Sequence, residues 1–134
     1  MSIKRIFGAM TIAFAAVVFS ATAAHAEPTW AWRTYTSDDC GMGYFAADGD
    51  HIGANDWCID GRSTAVRWET DYGRSDVCWD TNGGQNGVTD CNYDMQETGL
   101  IRWNVCLHDS DIPGWINCSG WTGWKHISTG SAAY

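Results

Sequence analysis

The stretch that decides the fold reads Ser63-Thr64-Ala65-Val66-Arg67-Trp68-Glu69-Thr70. Successive side chains of an extended chain point to opposite faces, so Thr64, Val66 and Trp68 share one face. Arg67 and Glu69 share the other face. This alternation predicts a β-strand over residues 63–70.

The rest of the chain also consists of short strand-like segments separated by turns. The turn signals Asp48-Gly49 and Asp60-Gly61 separate three of the segments, and no stretch has a convincing 3.6-residue apolar period. Strands are predicted over 43–47, 51–59, 63–70, 76–80, 92–95, 100–108 and 116–125, the last broken by Gly120 and Gly123. About seven short strands favour a small disulfide-stapled antiparallel β-sandwich of the all-β class over a barrel.

The N-terminus has the pattern of a secretory leader. Lys4 and Arg5 precede an apolar run over residues 6–19, and Ala24-His25-Ala26 supplies small residues at −1 and −3 of a signal-peptidase site. We expect a signal peptide over 1–26, an N-terminal extension over 27–42 and the β-sandwich domain over 43–134. The apolar run is short for a membrane span, so we expect a protein secreted to the outside of the cell.

The charge of the chain excludes one class of partner. The sequence has 8 basic and 16 acidic residues, a net charge of −8. Cleavage after residue 26 also removes Lys4 and Arg5, which brings the net charge to about −10. Such a chain repels phosphate backbones and anionic membranes, so we expect no nucleic-acid or membrane partner. We also expect a monomer.

Tryptophan and cystine must replace leucine in the core. The chain has only two leucines but nine tryptophans, each able to bury on the order of 200 Å². It also has six cysteines, all after the leader, and six cysteines allow fifteen pairings. These cysteines are Cys40, Cys58, Cys78, Cys91, Cys106 and Cys118.

Turn-rich stretches favour pairing between neighbouring cysteines, although sequence leaves the other pairings open. Cys78 and Cys91 bracket the turn-rich residues 80–87, and Cys106 and Cys118 bracket 109–114. Cys40 with Cys58 follows by exclusion. Export argues for oxidised sulfur rather than zinc ligation, and no Cys-x2-Cys pair exists.

Strand alternation poses a question about the tryptophan faces. In each of three predicted strands a cysteine (Cys58, Cys78, Cys106) has apolar neighbours, so its sulfur points away from them. Either both faces are partly buried, or the tryptophan side of some strands is outside. A faint echo, Arg67-Trp68 and Arg102-Trp103, indicates the same strand chemistry used twice.

A set of cysteines and turn residues carries a resemblance to a known group. The residues are Gly49-Asp50-His51, Asp56-x-Cys58-x-Asp60-Gly61, Cys78, Cys91-Asn92, Glu97, Arg102-x-x-x-Cys106 and Cys118-Ser119-Gly120-Trp121. In these the chain resembles small secreted cysteine-containing actinobacterial proteins of unassigned function. The resemblance implies a disulfide-bonded β domain and transfers no active site.

Catalytic and metal motifs are weak. No His-Glu-x-x-His, Gly-x-Ser-x-Gly or phosphate-binding glycine loop occurs. His51 and His108, each beside an aspartate, could serve as the acid/base pair of a small secreted hydrolase, but a histidine beside a turn aspartate is commonplace. Asp80-x-Asn82 and Asp90-x-Asn92-x-Asp94 begin like a calcium loop but lack its sixth-position glycine and its glutamate. We expect no enzyme activity, cofactor or metal.

The tryptophans are the strongest functional signal, because flat aromatic faces stack on sugars and also dominate protein interfaces. The strand-borne Trp57, Trp68, Trp79 and Trp103 are assigned to the core. The candidates for exposure and ligand binding are Trp30, Trp32, Trp115, Trp121 and Trp124. We therefore expect recognition of extracellular polysaccharide or protein; the alternative is an enzyme inhibitor that acts through a disulfide-held loop, over 79–90 or 107–117.

Overall fold

A computed structural model describes residues 32–133. The predicted signal peptide and Trp30 lie outside the described residues. Within them the chain forms strands and no helix. The strands are β1 Trp32–Tyr35, β2 Gly41–Ala46, β3 His51–Asp56, β4 Ser63–Thr70, β5 Ser75–Trp79, β6 Thr89–Asn92, β7 Leu100–Asp109, β8 Ile112–Ile116 and β9 Lys125–His126.

The strands form two antiparallel sheets, which confirms the all-β sandwich. The first sheet has the order β1-β2-β3-β6, and the second has the order β5-β4-β7-β8 with β9 also paired to β7. The second sheet is built around the long pair β4–β7, in which Trp68 lies opposite Trp103. The inner faces of the two sheets pack on each other through β2, β3, β4 and β7.

Residues 32–133 form nine strands where seven were predicted, because β1 was not predicted and the last predicted strand, 116–125, is divided. β8 and β9 pair with the two ends of the same β7 edge. Between them Ser119 N donates to Val105 O at 2.8 Å and Thr122 N donates to Trp103 O at 2.8 Å. Residues 117–124, which we call the edge segment, thus follow β7 as an irregular strand.

The core is a layer of aromatic and branched side chains between the sheets. Gly43 makes the close approach possible, because a Cβ there would lie 2.5 Å from Val66 Cγ2. Trp103 donates from Nε1 to Thr34 Oγ1 at 3.1 Å, which satisfies its buried polar atom. The interior comprises Phe45, Ile52, Val66, Trp68, Ile101, Trp103, Val105 and Ile127.

Three disulfides close the fold with the neighbour pairing that the turns favoured. They join Cys40 to Cys58, Cys78 to Cys91 and Cys106 to Cys118. The second bridge connects β5 of one sheet to β6 of the other across one side of the sandwich. The other two tie a loop or the edge segment to its neighbours. Disulfides of this kind belong to an oxidising compartment.

The segment 27–42, which the sequence predicts to be an extension outside the sandwich, contributes to the first sheet. Its described residues form β1 and the beginning of β2, and Trp32 lies opposite Phe45. The strand alternation of Arg33 and Thr34 is too short to be recognised in the sequence alone. Pairing with β2 supplies the order that the local sequence does not.

Candidate recognition surface

The outer face of the second sheet carries a row of alternating indole rings and guanidinium groups, here called the Trp–Arg ladder. Its members are Trp115, Arg67, Trp121, Arg102 and Trp124. The two arginines come from the central strands β4 and β7, and the tryptophans come from β8 and the edge segment. The ladder therefore joins parts of the chain that are far apart in sequence.

The spacing within the ladder is that of cation–π contacts. The guanidinium carbon of Arg67 lies 5.1 Å from the ring centroid of Trp115 and 5.5 Å from that of Trp121. That of Arg102 lies 5.1 Å from Trp121 and 4.7 Å from Trp124. Each contact is worth about 0.5–1 kcal/mol at an exposed site. Together they hold both arginine side chains against the sheet.

Arg102 is also bound by a carboxylate. Its Nε donates to Glu69 Oε1 at 2.6 Å, and its Nη2 forms an ion pair with the same oxygen. Glu69 lies directly opposite Arg102 in the β4–β7 register. The ion pair and the two indole rings together fix the position of the Arg102 fork.

One end of the ladder continues into a second aromatic group. The rings of Trp79 and Trp115 have centroids 5.3 Å apart. His108 lies 5.4 Å from Trp79 and 5.7 Å from Trp115, edge-on to both. Edge-on and tilted rings are favoured by the aromatic quadrupole. His108 is therefore part of an aromatic cluster.

The edge segment holds its tryptophans in place through its own side-chain hydroxyls. Val105 N donates to Ser119 Oγ at 3.0 Å, and Trp103 N donates to Thr122 Oγ1 at 3.1 Å. The hydroxyls replace the backbone carbonyls that a regular strand would offer to β7. The Cys106–Cys118 bridge fixes the start of the segment. Trp121 is thus presented with 39% of its surface exposed.

The structure brings together three of the five predicted binding tryptophans. Trp115, Trp121 and Trp124 all lie in the ladder, Trp115 and Trp124 being half-buried. Trp32 is 46% exposed, but it lies apart at the edge of the first sheet, where Lys125 Nζ is 4.3 Å from its ring centroid. Trp30 lies outside the described residues.

The assignment of four strand-borne tryptophans to the core is wrong for two of them. Trp68 and Trp103 are buried, but Trp79 is 36% and Trp57 40% exposed. Trp79 follows Cys78, whose sulfur faces the core, so the indole points outward. Trp57 lies just beyond the last residue of β3. The face of β5 that carries Trp79 is therefore the outer face of the sheet, which answers for this strand the question that the sequence left open.

A second, smaller aromatic pair lies at the end of the sandwich where the β1–β2 and β3–β4 loops meet. The rings of Tyr35 and Trp57 have centroids 5.5 Å apart and an interplanar angle of 42°. Both side chains are 40% exposed, and Ile59, two residues after Trp57, is 81% exposed. The Cys40–Cys58 bridge joins the β1–β2 and β3–β4 loops next to this pair.

Aspartate carboxylates accept hydrogen bonds from loop amides at the end of the sandwich that carries the Tyr35–Trp57 pair. Asp56 is buried, and burial raises its pKa. The negative charges of Asp60, Asp80 and Asp38 raise this pKa further, whereas the Cys58 amide, which donates to Asp56 Oδ1, lowers it. Asp80 accepts from the Asp56 and Asn82 amides. These carboxylates act as acceptors for loop amides.

The two histidines of the hydrolase alternative do not converge. His51 lies on the outer face of the first sheet, since Ile52 beside it is in the core, and His108 lies on the outer face of the second. His51 Nδ1 is 2.6 Å from Asp90 Oδ2, not beside Asp50. Asp50 instead accepts the Met95 amide. The sandwich separates the predicted pair.

The candidate calcium loops are used otherwise. Both carboxylate oxygens of Asp80 accept backbone amides, and those of Asp90 face Tyr44 and His51. Among residues 32–133 no group of three or more His, Cys, Asp or Glu side chains is arranged to hold a metal ion. The aspartates therefore serve turns and strand pairing.

Comparison with family models, with curated proteins and with solved structures found no match for this chain in any of the three. The resemblance to secreted actinobacterial proteins stays a prediction. Over residues 32–133, no helix is long and apolar enough to cross a membrane.

Proposed function

We propose that this protein is a secreted, non-catalytic recognition domain that binds a polypeptide through the Trp–Arg ladder. The observation that carries the proposal is the alternation of Trp115, Arg67, Trp121, Arg102 and Trp124 on one outer sheet face. Tryptophan and arginine are the residue types that most often dominate the binding energy of protein interfaces. The predicted leader and the three disulfides support an extracellular site of action.

The rigidity of the ladder supports affinity. Long arginine side chains lose rotamer freedom on binding, at about 0.5–1.5 kcal/mol for each immobilised side chain. Arg67 and Arg102 are already held by indole rings, and Arg102 also by Glu69. Most of this ordering cost is therefore met by folding.

The ladder is poorly suited to stacking on a sugar. Two guanidinium groups, those of Arg67 and Arg102, lie over the ring of Trp121, and one lies over Trp124. A sugar ring would have to displace them. A polypeptide can instead use the exposed ring edges and the guanidinium donors together.

The hairpin of β7 and β8 extends the same surface. Its tip at residues 110–114 is exposed, and Ile112 is 43% exposed. The Cys106–Cys118 bridge closes this hairpin at its base. An exported enzyme inhibited through a disulfide-held loop is thus one form of the proposed polypeptide partner.

The Tyr35–Trp57 pair favours a second candidate function, binding of extracellular carbohydrate. Its two rings are each 40% exposed and lie 5.5 Å apart at a tilt of 42°, which forms a shallow aromatic corner. A neutral sugar could pack against this corner without displacing an arginine of the ladder. The two candidates use different surfaces, so single variants separate them.

The test is selection from a random peptide library displayed on phage, alongside a neutral glycan array, with the exported protein as bait. We expect the selected peptides to bind the Trp121→Ala variant at least tenfold more weakly than the wild type, and to bind the matched Trp57→Ala variant equally well. Trp124→Ala serves as a second ladder variant, and near-ultraviolet circular dichroism checks that each variant is folded. Glycan binding that is abolished only by Trp57→Ala, with no peptide selected, would overturn the proposal in favour of carbohydrate.

A further inference from the structure

We propose that Arg67 is the anchor of the ladder and binds one carboxylate group of the polypeptide partner. This inference rests on the proposed function and names the chemical group that the ladder recognises. It follows from the difference between Arg67 and the other arginines whose partners the structure describes.

Arg62, Arg74 and Arg102 each lie close to a carboxylate or carbonyl oxygen. Arg102 is paired with Glu69, and Arg62 lies 3.7 Å from Asp60 and 3.8 Å from Asp109. Arg74 donates from Nη1 to the carbonyl of Asp94. In an acidic chain such pairing is expected, because carboxylates outnumber guanidiniums two to one or more.

Arg67 departs from this pattern. Within residues 32–133 no carboxylate lies at ion-pair distance from its guanidinium, and the contacts that hold it are the rings of Trp115 and Trp121. Its neighbours across β5 and β7 are Val77 and Asn104, both uncharged. The planar fork is therefore oriented by indole rings, while its five N–H donors lack a charged acceptor among the described residues.

A carboxylate is the group that fits this fork. Guanidinium and carboxylate form two parallel hydrogen bonds, which are stronger and more directional than neutral hydrogen bonds. The indole rings beside Arg67 exclude part of its water, and this strengthens a charge-assisted hydrogen bond.

The charge of the whole chain limits the ligand to an isolated carboxylate. A net charge of −8 repels an extended polyanion at long range, and Glu69 and Asp109 lie on the same sheet face or at its end. A single Glu or Asp side chain, or a chain terminus, brings one negative charge to one guanidinium. Nucleic acids and polyuronates are thus disfavoured while an acidic residue of a polypeptide is accepted.

The test uses the exported protein and small probes followed by ¹⁵N–¹H NMR of the arginine Nε–H signals. The probes are N-acetylglutamate α-amide, its glutamine counterpart, N-acetylglycine as a chain terminus, and inorganic phosphate. We expect the glutamate probe or the terminus probe to shift the Arg67 signal saturably, with a dissociation constant in the millimolar range. The glutamine probe should leave the signal in place.

Variants complete the test. Arg67→Lys, which keeps the charge but removes the planar fork, should weaken the carboxylate probe at least fivefold, while the matched Arg74→Lys variant outside the ladder should bind as the wild type does. Equal shifts with glutamate and glutamine probes, unchanged binding by Arg67→Lys, or phosphate binding as tight as carboxylate binding would overturn the inference. Selected peptides that still require Trp121 but not Arg67 would leave the proposed function standing and refute the carboxylate anchor alone.

Discussion

At the scale of single residues, two aspartates near the Cys40–Cys58 bridge differ in their response to ionisation. The pKa of Asp56 is raised by burial and by neighbouring carboxylates. The pKa of Asp38 is raised by partial burial, but hydrogen bonds from Thr36, Cys40 and Asn117 outweigh this and lower it overall. The two groups should therefore shift the free energy of unfolding in opposite directions.

Asp56→Asn should stabilise the protein at pH 7. The native state binds a proton at Asp56 more readily than the unfolded chain does. The contribution of this group to the free energy of unfolding therefore falls as the pH rises from the ordinary pKa of an aspartate through the raised pKa of Asp56. Asparagine removes the buried charge and keeps an oxygen for the Cys58 amide. Urea unfolding from pH 7 down to pH 3 should show the gain disappear at low pH.

The matched Asp38→Asn variant has the opposite sign. In the wild type, the ionised Asp38 carboxylate stabilises the fold at pH values above the ordinary pKa of an aspartate. This contribution is lost as the pH falls through the lowered pKa of Asp38. The variant should therefore be less stable than the wild type at pH 7 and equal to it in acid. A gain for both variants, or a loss for both, would contradict the assigned environments.

Gly53→Ala should destabilise the fold by about 2 kcal/mol or more, as expected for an overpacked site. A Cβ at this position would lie 2.0 Å from Cε1 of Tyr44, whose ring is buried and whose hydroxyl donates to Asp90. Gly123→Ala is the matched control, because nothing lies within 4 Å of its Cβ position. Thermal unfolding of both variants measures the difference; equal stabilities would show that Tyr44 can move aside.

Residue chemistry explains why the ladder was only half predicted. In the sequence, the tryptophans late in the chain can be distinguished from those in predicted strands. This distinction identified Trp115, Trp121 and Trp124 as exposed. It could not place Arg67 beside them, because only the β4–β7 pairing and the path of the edge segment bring these parts together. The repeated Arg-Trp dipeptide was the available signal: in each copy the tryptophan is inside and the arginine outside.

At the scale of elements, the edge segment decides whether the ladder forms. Thr122 exchanges two hydrogen bonds with Trp103, donating from its amide and accepting at its hydroxyl. Thr122→Val keeps the shape but leaves the Trp103 amide without an acceptor, which should cost about 1–3 kcal/mol. Hydrogen exchange at the Trp103 amide should speed up accordingly.

The exposed Thr81→Val variant is the control for this prediction. Thr81 lies in the β5–β6 loop, so loss of its hydroxyl should leave stability within about 0.5 kcal/mol of the wild type. Unchanged exchange at Trp103 in Thr122→Val would show that the edge segment does not depend on this hydroxyl.

Strand prediction succeeded where alternation was strong and failed where side chains replaced the backbone. The predicted strand over 63–70 has the bounds of β4, and that over 100–108 differs from β7 by one residue. The strand predicted over 92–95 is displaced to β6, Thr89–Asn92, which pairs with β3 and carries Cys91 of the Cys78–Cys91 bridge. The strand predicted over 116–125 is interrupted because serine and threonine hydroxyls accept the β7 amides.

At the scale of the whole molecule, disulfides and indole rings take the place of a leucine-rich core. Leu107 is buried and Leu100 half-buried, whereas Trp68 and Trp103 lie opposite each other at the centre of the second sheet. Each disulfide that closes a loop of about 15 residues contributes roughly 3 kcal/mol. Three such bridges approach the whole stability of a small domain, about 5–15 kcal/mol.

Full reduction should therefore unfold the protein. We expect the near-ultraviolet circular dichroism to vanish and tryptophan emission to move to longer wavelength when all six thiols titrate, and both to recover on reoxidation. An unreduced sample at the same temperature is the control. A cooperative thermal transition that is unchanged after complete reduction would show that the indole core suffices without the bridges.

The most direct test of the recognition surface is the ¹⁵N–¹H map of the nine indole Nε1–H signals during titration with a peptide selected on the wild-type protein. We expect shifts at Trp115, Trp121 and Trp124, with smaller shifts at Trp79 and none at Trp57. Shifts confined to Trp57 or Trp32, with the ladder signals unmoved, would contradict the proposed recognition surface.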